Sequence, residues 1–220
     1  MKLLYIILSV VASYLLGSIN SAIIISHALY KEDVRSHGSG NAGLTNMLRT
    51  YGAKAAALTL IGDMLKAVIA ILFTSLFFGL SYNNGISLSE YCYLSGLAAV
   101  LGHVFPIFYG FKGGKGVLVA ATMTLILCPI HFITLLAIFA IIVVISKYVS
   151  LGSIVVATLL PISVCLYIPL VCGVRLSMVI AVSIIFLGGF VVWCHRSNIK
   201  RLLAGNEKKI SIGGKKKKND

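Results

Sequence analysis

The apolar residues of this chain gather into runs long enough to cross a lipid bilayer, and no other feature constrains the fold as much. The runs lie at about 3–26, 54–80, 88–103, 116–146, 150–172 and 176–194. A hydrocarbon layer of about 30 Å needs roughly 20 residues of helix, and lipid tolerates no unpaired backbone groups. Charged residues make up only 11% of the chain, too few to coat a soluble globule. The sequence therefore predicts an all-α, polytopic membrane helix bundle.

Positive charge predicts which joints between the runs share the cytoplasm. Lys and Arg concentrate in the joints 31–54 and 103–116 and after Trp193, and cytoplasmic segments collect such residues. A single helix over 116–146 would leave the last of these regions on the opposite side from the two joints. A break at Pro129 removes the conflict, because proline disfavours a continuous helix. This gives about seven transmembrane helices, with the N-terminus outside and the C-terminus cytoplasmic; the two short halves are either thin spans or re-entrant helices.

Composition predicts one integral membrane domain over 1–208 and a basic, disordered tail over 209–220, which lies on the membrane surface or sets the topology. The first run lacks a clear cleavage site, so we expect it to be retained as a span. The net charge of +13 does not indicate nucleic acid, because the basic residues fall in short joints and in the tail. The five cysteines lie in or at the edge of apolar runs and show neither metal-ligand nor disulfide spacing, so we expect them to be packing residues.

The first polar segment, 33–46, reads DVRSHGSGNAGLTN. It contains G-x-G-x-x-G, but the dinucleotide fingerprint needs a preceding strand, whereas a membrane helix precedes it here. Its glycines still allow successive amides to face an anion, and a nearby arginine offers a forked cation suited to phosphate. The alternative is an ordinary polar loop. The candidate site residues are Ser39, Gly40, Asn41, Thr45, Asn46 and Arg49.

The second polar segment, 103–116, reads HVFPIFYGFKGGKG. It resembles a phosphate loop but fails the Walker pattern, because Tyr109 replaces the first glycine and Gly116 replaces Ser or Thr. We expect no nucleotide hydrolysis, but we do expect a helix N-terminus that attracts anions. A basic cytoplasmic turn is the alternative, and the histidine is either a ligand contact or a satisfied interfacial residue. The candidate substrate-binding residues are His103, Lys112, Gly113, Gly114 and Lys115.

The third polar segment, 195–207, begins with His195 and Asn198, which share one face if the last helix continues. Both are candidate catalytic residues, although His195 can also simply cap the helix end. Glu207 is expected to pair with a nearby Arg or Lys and to be structural, in preference to acting as a base.

Four further polar residues lie in or beside apolar runs. Asp63 and Lys66 are three residues apart in an apolar helix, where an unpaired charge is expensive. We expect a structural ion pair; support of the phosphate site is the alternative. Ser150 and Ser153 adjoin the inner face, where they either reach the substrate or pack between helices.

In this order, the three segments resemble the three motifs of the bacterial acyl-phosphate-dependent glycerol-3-phosphate acyltransferases (PlsY type), and the similarity covers nearly the whole chain. The departures are modest: Leu44 stands where alanine is usual, Lys200 lies beside Arg201, and the third motif contains Ser197.

The resemblance implies transfer of an acyl group from acyl phosphate to the 1-hydroxyl of sn-glycerol 3-phosphate, giving lysophosphatidic acid and inorganic phosphate for phospholipid biosynthesis. It implies a multi-pass enzyme of the bacterial cytoplasmic (inner) membrane whose active site faces the cytoplasm. No metal, cofactor or acyl-CoA is implied, and no nucleic acid or obligate protein partner is expected besides the two substrates and membrane lipid. By the same resemblance Ser39, Asn41, Arg49, His195 and Asn198 are functional, Lys115 and its loop bind glycerol phosphate, and Glu207 is structural.

The types of residue in the polar segments support the same function independently of the resemblance. The polar segments offer cations and amides but almost no carboxylate, and an acyl phosphate already contains a good leaving group. Positioning and stabilisation of a developing oxyanion can therefore carry catalysis, with a substrate phosphate taking the proton. A transporter would need a polar route through the spans, whereas the polar residues cluster at one face. A membrane scaffold gives no reason for two loops of glycines and cations.

Overall fold

The computed structural model describes residues 2–80, 87–171, 173 and 175–210, and every regular element in those ranges is helical. Five helical stretches, among them Leu4–Tyr30, are long and apolar enough to cross a membrane, or six if the pair Met178–Cys194 and Arg196–Leu203, bent by 54°, counts as one span. The α-helices are α1 Lys2–Ser18, α2 Ser21–Tyr30, α3 Leu44–Tyr51, α4 Ala53–Leu80, α5 Leu88–Val104, α6 Val117–Leu127, α7 Pro129–Ser146, α8 Val149–Leu170, α9 Met178–Cys194 and α10 Arg196–Leu203. The predicted all-α bundle is confirmed, and tail residues 211–220 lie outside the described residues.

The first apolar run is two helices, where the sequence predicted one over 3–26. The break falls at Asn20, whose side chain accepts a hydrogen bond from the Ile23 amide and so caps α2. The same side chain donates to the Ala42 carbonyl at 3.4 Å. An asparagine at a helix N-terminus satisfies amides that would otherwise lack partners, and here it also fastens the first polar segment to the bundle.

The predicted break near Pro129 is confirmed. Helix α6 ends at Leu127, and proline takes the first position of α7, where its missing amide proton costs nothing. Helix α6 has 11 residues, so it rises about 16 Å, roughly half the thickness of the hydrocarbon layer. It begins beside His103, and the residue that follows α7, Lys147, accepts a hydrogen bond from the Ile210 amide near the polar segments. The two helices therefore run in opposite directions.

Glycines let α1 and α5 pack backbone against backbone. A Cβ on Gly17 would lie 2.1 Å from the Ala99 carbonyl oxygen, and one on Gly102 would lie 2.1 Å from the Tyr14 carbonyl oxygen. Such close approach is how membrane helices gain contact where no hydrophobic driving force exists between them. The pairing fixes the end of α5 and hence the position of His103.

The interior of the bundle and its outer surface are both apolar. Met123, Val164 and Leu187 are fully buried in a cluster that joins α4, α5, α6, α8 and α9. On the outer faces, large side chains such as Ile145 and Leu72 are 78% and 63% exposed. A soluble protein rarely exposes so much contiguous apolar surface, so these faces are the ones expected to meet lipid.

Candidate active site

All three polar segments meet at one end of the bundle around a single cavity of about 700 Å³, here called the main cavity. Its polar end carries hydroxyl, amide and cationic side chains from loops and helix ends. Its apolar arm continues between α6, α7, α8 and α9. The predicted site residues that line it are Ser39, Asn41, Thr45, Asn46, Arg49, Asp63, His103, Lys115, Ser150, Ser153, His195, Asn198 and Glu207.

Asn46 organises the first polar loop. Its side-chain oxygen accepts from the Ser39 amide at 2.9 Å, while its amide nitrogen donates to the Val34 and His37 carbonyls at 3.1 and 3.0 Å. Gly38, at φ +63°, allows this arrangement, because a Cβ there would lie 2.2 Å from the Asn46 oxygen. Asn46 is only 1% exposed, and its hydrogen bonds hold the loop that presents Ser39.

Hydrogen bonds from the Arg35 side chain to backbone carbonyls connect the first loop to the second. Arg35 donates to the Tyr109 carbonyl at 2.8 Å and to the Lys112 carbonyl at 3.1 Å. Asp33 holds that guanidinium with bonds of 2.7 to 3.1 Å, and these bonds lower the pKa of the Asp33 carboxyl. The two motifs therefore form one rigid unit although they are far apart in the sequence.

In the second loop, Gly113 and Gly114 pack closely against the end of α5. The Gly113 amide donates to the Val104 carbonyl and the Gly114 amide to the His103 carbonyl, each at 3.1 Å. A Cβ on Gly114 would lie 2.0 Å from His103 Nε2 and 2.8 Å from the Ala42 carbonyl oxygen. Because both amides are already engaged in backbone bonds, the loop presents the side chain of Lys115, and not these two amides, to the cavity.

Lys115 begins a chain of side-chain hydrogen bonds that crosses the polar end. Its ammonium donates to the Asn198 side-chain oxygen. The Asn198 amide nitrogen in turn donates to Glu207 at 2.7 Å. Glu207 also accepts from Ser150 at 2.8 Å and from Arg201 at 2.7 Å. The local pairing expected of Glu207 is thus present in the structure, and it fixes which way the Asn198 amide points.

Electrostatics at the polar end favour an anionic ligand. Burial, followed by the nearby Arg201 charge, lowers the pKa of Lys115 to about 8. Burial alone would raise the pKa of Glu207, but hydrogen bonds from Asn198, Ser150 and Arg201 hold it below its ordinary value. For Lys115, burial is the larger cause, because desolvation disfavours the charged ammonium, and a phosphate bound beside Lys115 would offset that penalty.

His195 lies at the bend between α9 and α10 and is 3% exposed. Its Nδ1 lies 2.8 Å from the Val191 carbonyl oxygen, and a carbonyl can only accept, so Nδ1 carries the proton. In the neutral ring Nε2 is then an acceptor. The arrangement therefore suits acceptance of a hydrogen bond from a hydroxyl group.

Asp63 and Lys66 form the expected ion pair, at 2.9 Å, with both side chains almost fully buried. Lys66 also donates to the Ile19 carbonyl at 3.0 Å and lies 2.9 Å from His103 Nδ1. His103 must accept there, which leaves its proton on Nε2. The three residues connect α4, α5 and the α1–α2 break behind the second loop.

Not every candidate residue reaches the main cavity. Gly40, Lys112 and Gly113 line a separate, smaller depression together with Arg35 and Tyr109. Lys66 and Gly114 line neither of the two. The Ser153 hydroxyl, which does line the main cavity, donates to the Val149 carbonyl at 2.9 Å.

Two cations that were not among the sequence candidates also line the cavity: Arg201 and Lys208. Arg201 lies three residues after Asn198 on α10, a spacing that could have suggested the shared face. Lys208 follows the last helix in an irregular segment, and no local pattern marks it. Within the part of the chain that the structure describes, no cluster of three or more His, Cys, Asp or Glu could hold a metal ion.

Known proteins resemble this chain over most of its length. A sequence profile described as glycerol-3-phosphate acyltransferase matches residues 7–205. A glycerol-3-phosphate acyltransferase of Clostridioides difficile is 41% identical over 206 residues, covering 94% of this chain and 95% of the relative. One of Finegoldia magna is 37% identical over 210 residues, covering 96% and 98%.

The fold is also that of a solved membrane enzyme. PlsY, described as an integral membrane glycerol 3-phosphate acyltransferase, matches in its glycerol 3-phosphate form with a TM-score of 0.78 and 34% identity, covering 94% of this chain and 96% of that one. Its lysophosphatidic acid form matches with a TM-score of 0.75 and 33% identity, covering 94% and 95%. The family resemblance inferred from the three motifs is confirmed. The chain is an integral membrane protein that belongs to the glycerol-3-phosphate acyltransferase family.

Proposed function

We propose that this protein transfers an acyl group from acyl phosphate to the 1-hydroxyl of sn-glycerol 3-phosphate, releasing lysophosphatidic acid and inorganic phosphate. The observation that carries the proposal is that one cavity joins a cationic polar end to an apolar arm. A phosphorylated head and a hydrocarbon tail require these two environments side by side. The named ligands of the two PlsY structures, glycerol 3-phosphate and lysophosphatidic acid, support the substrate and the product.

The apolar arm fits an acyl chain. It runs from Ser150 to Leu160 along α8, ten residues that rise about 15 Å. Phe132 and Leu136 of α7 and Leu187 of α9 also line it. Each buried methylene contributes about 0.8 kcal/mol, so a long chain anchors the donor firmly while its phosphate stays at the polar end.

The cationic and the neutral side chains of the polar end have different roles. Arg49 and Lys115 clamp the phosphates, and Asn198, held by Glu207, keeps Lys115 in place. Ser39 and Asn41, presented by the first loop, orient the carbonyl. His195, with Nε2 free to accept, orients the attacking hydroxyl. Thr45 and Ser150 line the same end and complete the binding surface.

In the reaction, the 1-hydroxyl oxygen attacks the acyl carbonyl carbon, and the carbon–oxygen bond to the phosphate then breaks. The hydroxyl proton goes to a substrate phosphate, and the departing phosphate carries away the electron pair of the broken bond. Cations and donors aimed at the developing oxyanion supply most of the acceleration. No cofactor or metal takes part in this scheme.

The chemistry of the substrates also supports a cellular location for the protein. Both substrates carry phosphate and meet at the end of the bundle where the basic joints lie, and such joints are cytoplasmic. We therefore assign the protein to the bacterial cytoplasmic membrane with the active site facing the cytoplasm. It acts without an obligate protein partner and with membrane lipid around it.

The test is to incubate the purified protein with palmitoyl phosphate and glycerol 3-phosphate and to follow lysophosphatidic acid and phosphate together. Palmitoyl-CoA in place of palmitoyl phosphate separates the donor classes. Two lysines of one loop give a matched comparison: Lys115→Ala is expected to lower kcat about 100-fold or more, and Lys112→Ala, outside the main cavity, to stay within about threefold of wild type. Uptake of glycerol 3-phosphate into proteoliposomes without ester formation would instead establish transport.

A further inference from the structure

The chain after α10 crosses the polar end of the main cavity as a short segment, residues 206–210, here called the strap. Glu207 fastens it to Ser150, Asn198 and Arg201. At its far end the Ile210 amide donates to the Lys147 carbonyl at 2.8 Å. The strap is therefore held on both sides of Lys208.

Lys208 touches the first motif through both its backbone and its side chain. Its carbonyl oxygen accepts from Arg49 at 3.3 Å, and its ammonium donates to the Gly38 carbonyl at 3.4 Å. Good bonds of this kind are about 2.9 Å long, so both contacts are weak. A weak contact to a neutral carbonyl is readily exchanged for a charge-assisted bond to phosphate.

The charges lining the polar end call for more than one phosphate ligand. Its cations are Arg49, Lys115, Arg201 and Lys208. Of the two carboxylates that line the cavity among the described residues, Asp63 is paired with Lys66, and Glu207 lies among these cations. Glu207 is bonded to Arg201 at 2.7 Å. Within the described chain, Arg49, Lys115 and Lys208 thus have no carboxylate at ion-pair distance, and two phosphate groups would together offset their three charges.

The three cations without a carboxylate partner differ in solvent exposure. Arg49 and Lys208 are both exposed, whereas Lys115 is partly buried at the start of α6. A water-soluble substrate arrives at the exposed pair first, and an acyl phosphate extends from the apolar arm toward Lys115. The geometry thus assigns different phosphates to the two sets.

We propose that Lys208 binds the phosphate of glycerol 3-phosphate together with Arg49. On binding, its ammonium leaves the Gly38 carbonyl for a phosphate oxygen, while its own carbonyl keeps Arg49 aligned. This inference deepens the proposed function and rests on it. It makes the strap part of the substrate site, in contrast to a simple tail that follows the last helix.

The experiment compares Lys208→Gln and Lys208→Arg with Lys209→Gln. Lys209 is the matched control, because its ammonium lies 5.6 Å from the Tyr148 ring and it does not line the cavity. Lys208→Gln is expected to raise the KM for glycerol 3-phosphate about tenfold, with kcat and the KM for palmitoyl phosphate within about threefold of wild type. Lys208→Arg is expected to recover most of that loss, and Lys209→Gln to behave as wild type.

A second readout does not depend on turnover. Acetic anhydride labels exposed lysines, and mass spectrometry reports each site; glycerol 3-phosphate is expected to protect Lys208 but not Lys209 in the wild-type protein. An unchanged KM in Lys208→Gln, or equal labelling with and without glycerol 3-phosphate, overturns the assignment, as does a rise in the KM for palmitoyl phosphate alone. If the wild-type protein makes no lysophosphatidic acid, the proposed function fails, and the protection experiment still decides the role of Lys208.

Discussion

Replacing Gly114 with alanine tests whether the second loop is placed by packing against His103. The added Cβ would lie 2.0 Å from His103 Nε2 and 2.8 Å from the Ala42 carbonyl oxygen. Non-bonded carbon atoms normally sit about 3.5 Å or more apart, so one partner must move by about 1.5 Å. His103 cannot give way easily, because it is 4% exposed and its Nδ1 accepts from Lys66. The loop must therefore move.

The displacement passes directly to Lys115, the next residue. An error of about 1 Å in a positioning group can cost about 100-fold in rate, so kcat/KM for acyl transfer is expected to fall about 100-fold. Overpacking of a buried site typically costs about 1–3 kcal/mol of stability. The expected result is a folded protein with a modestly lower unfolding temperature and very little activity.

The assay follows lysophosphatidic acid and phosphate released from palmitoyl phosphate and glycerol 3-phosphate, with thermal unfolding in detergent measured on the same preparations. Gly189→Ala is the control, since a Cβ at Gly189 in α9 has no atom within 4 Å. Alanine there is expected to keep full activity and to add up to about 1 kcal/mol of helix stability. If Gly114→Ala keeps activity within threefold of Gly189→Ala, close packing does not position Lys115.

Three other changes follow from the polar contacts. Glu207→Gln gives Asn198 and Arg201 an amide that cannot satisfy both donors, and it is expected to lower the unfolding free energy by about 1–3 kcal/mol, as measured by thermal or denaturant unfolding; an unchanged stability would contradict the role of this carboxylate. Because the pKa of Lys115 in the ligand-free protein is about 8, its charged fraction falls as pH rises through 8, and kcat/KM for palmitoyl phosphate is expected to fall there in wild type but not in Lys115→Arg; parallel profiles would refute this assignment. Lys66→Met leaves a buried acid unpaired, so unfolding measurements are expected to show a loss of about 3–5 kcal/mol that a second change, Asp63→Asn, partly restores; additive losses would argue against the pair.

The sequence predicted most of the fold because lipid imposes strong rules on it. Apolar run lengths identified the long helices, and Pro129 together with the charge pattern identified the break between α6 and α7. The break in the first run was missed, because hydropathy does not register a single polar residue. Asn20 ends one helix and starts the next through specific hydrogen bonds to Ile23 and Ala42, and such contacts depend on tertiary partners.

The site was predicted at the level of motifs and less well at the level of individual groups. Glycine runs suggested free amides, but the amides of Gly113 and Gly114 serve the backbone of α5. Charge alone also could not separate Lys112 from Lys115, although only the latter lines the main cavity. The difference arises because α6 begins two residues after Lys115 and directs the chain into the bundle, while Lys112 stays on the turn held by Arg35.

The Glu207 carboxylate explains how a strongly cationic site keeps its geometry. Glu207 holds the amide nitrogen of Asn198, so the amide oxygen must point toward Lys115. Its charge is opposed mainly by Arg201, at 2.7 Å, and Lys115 therefore keeps most of its attraction for phosphate. A carboxylate bonded directly to Lys115 would position that lysine equally well but would cancel the charge on which anion binding depends. In the third motif, Arg201 lies three residues after Asn198, and Glu207 lies beyond the end of α10. Glu207 can therefore position Lys115 through Asn198 while its charge is neutralised by Arg201 and not by Lys115.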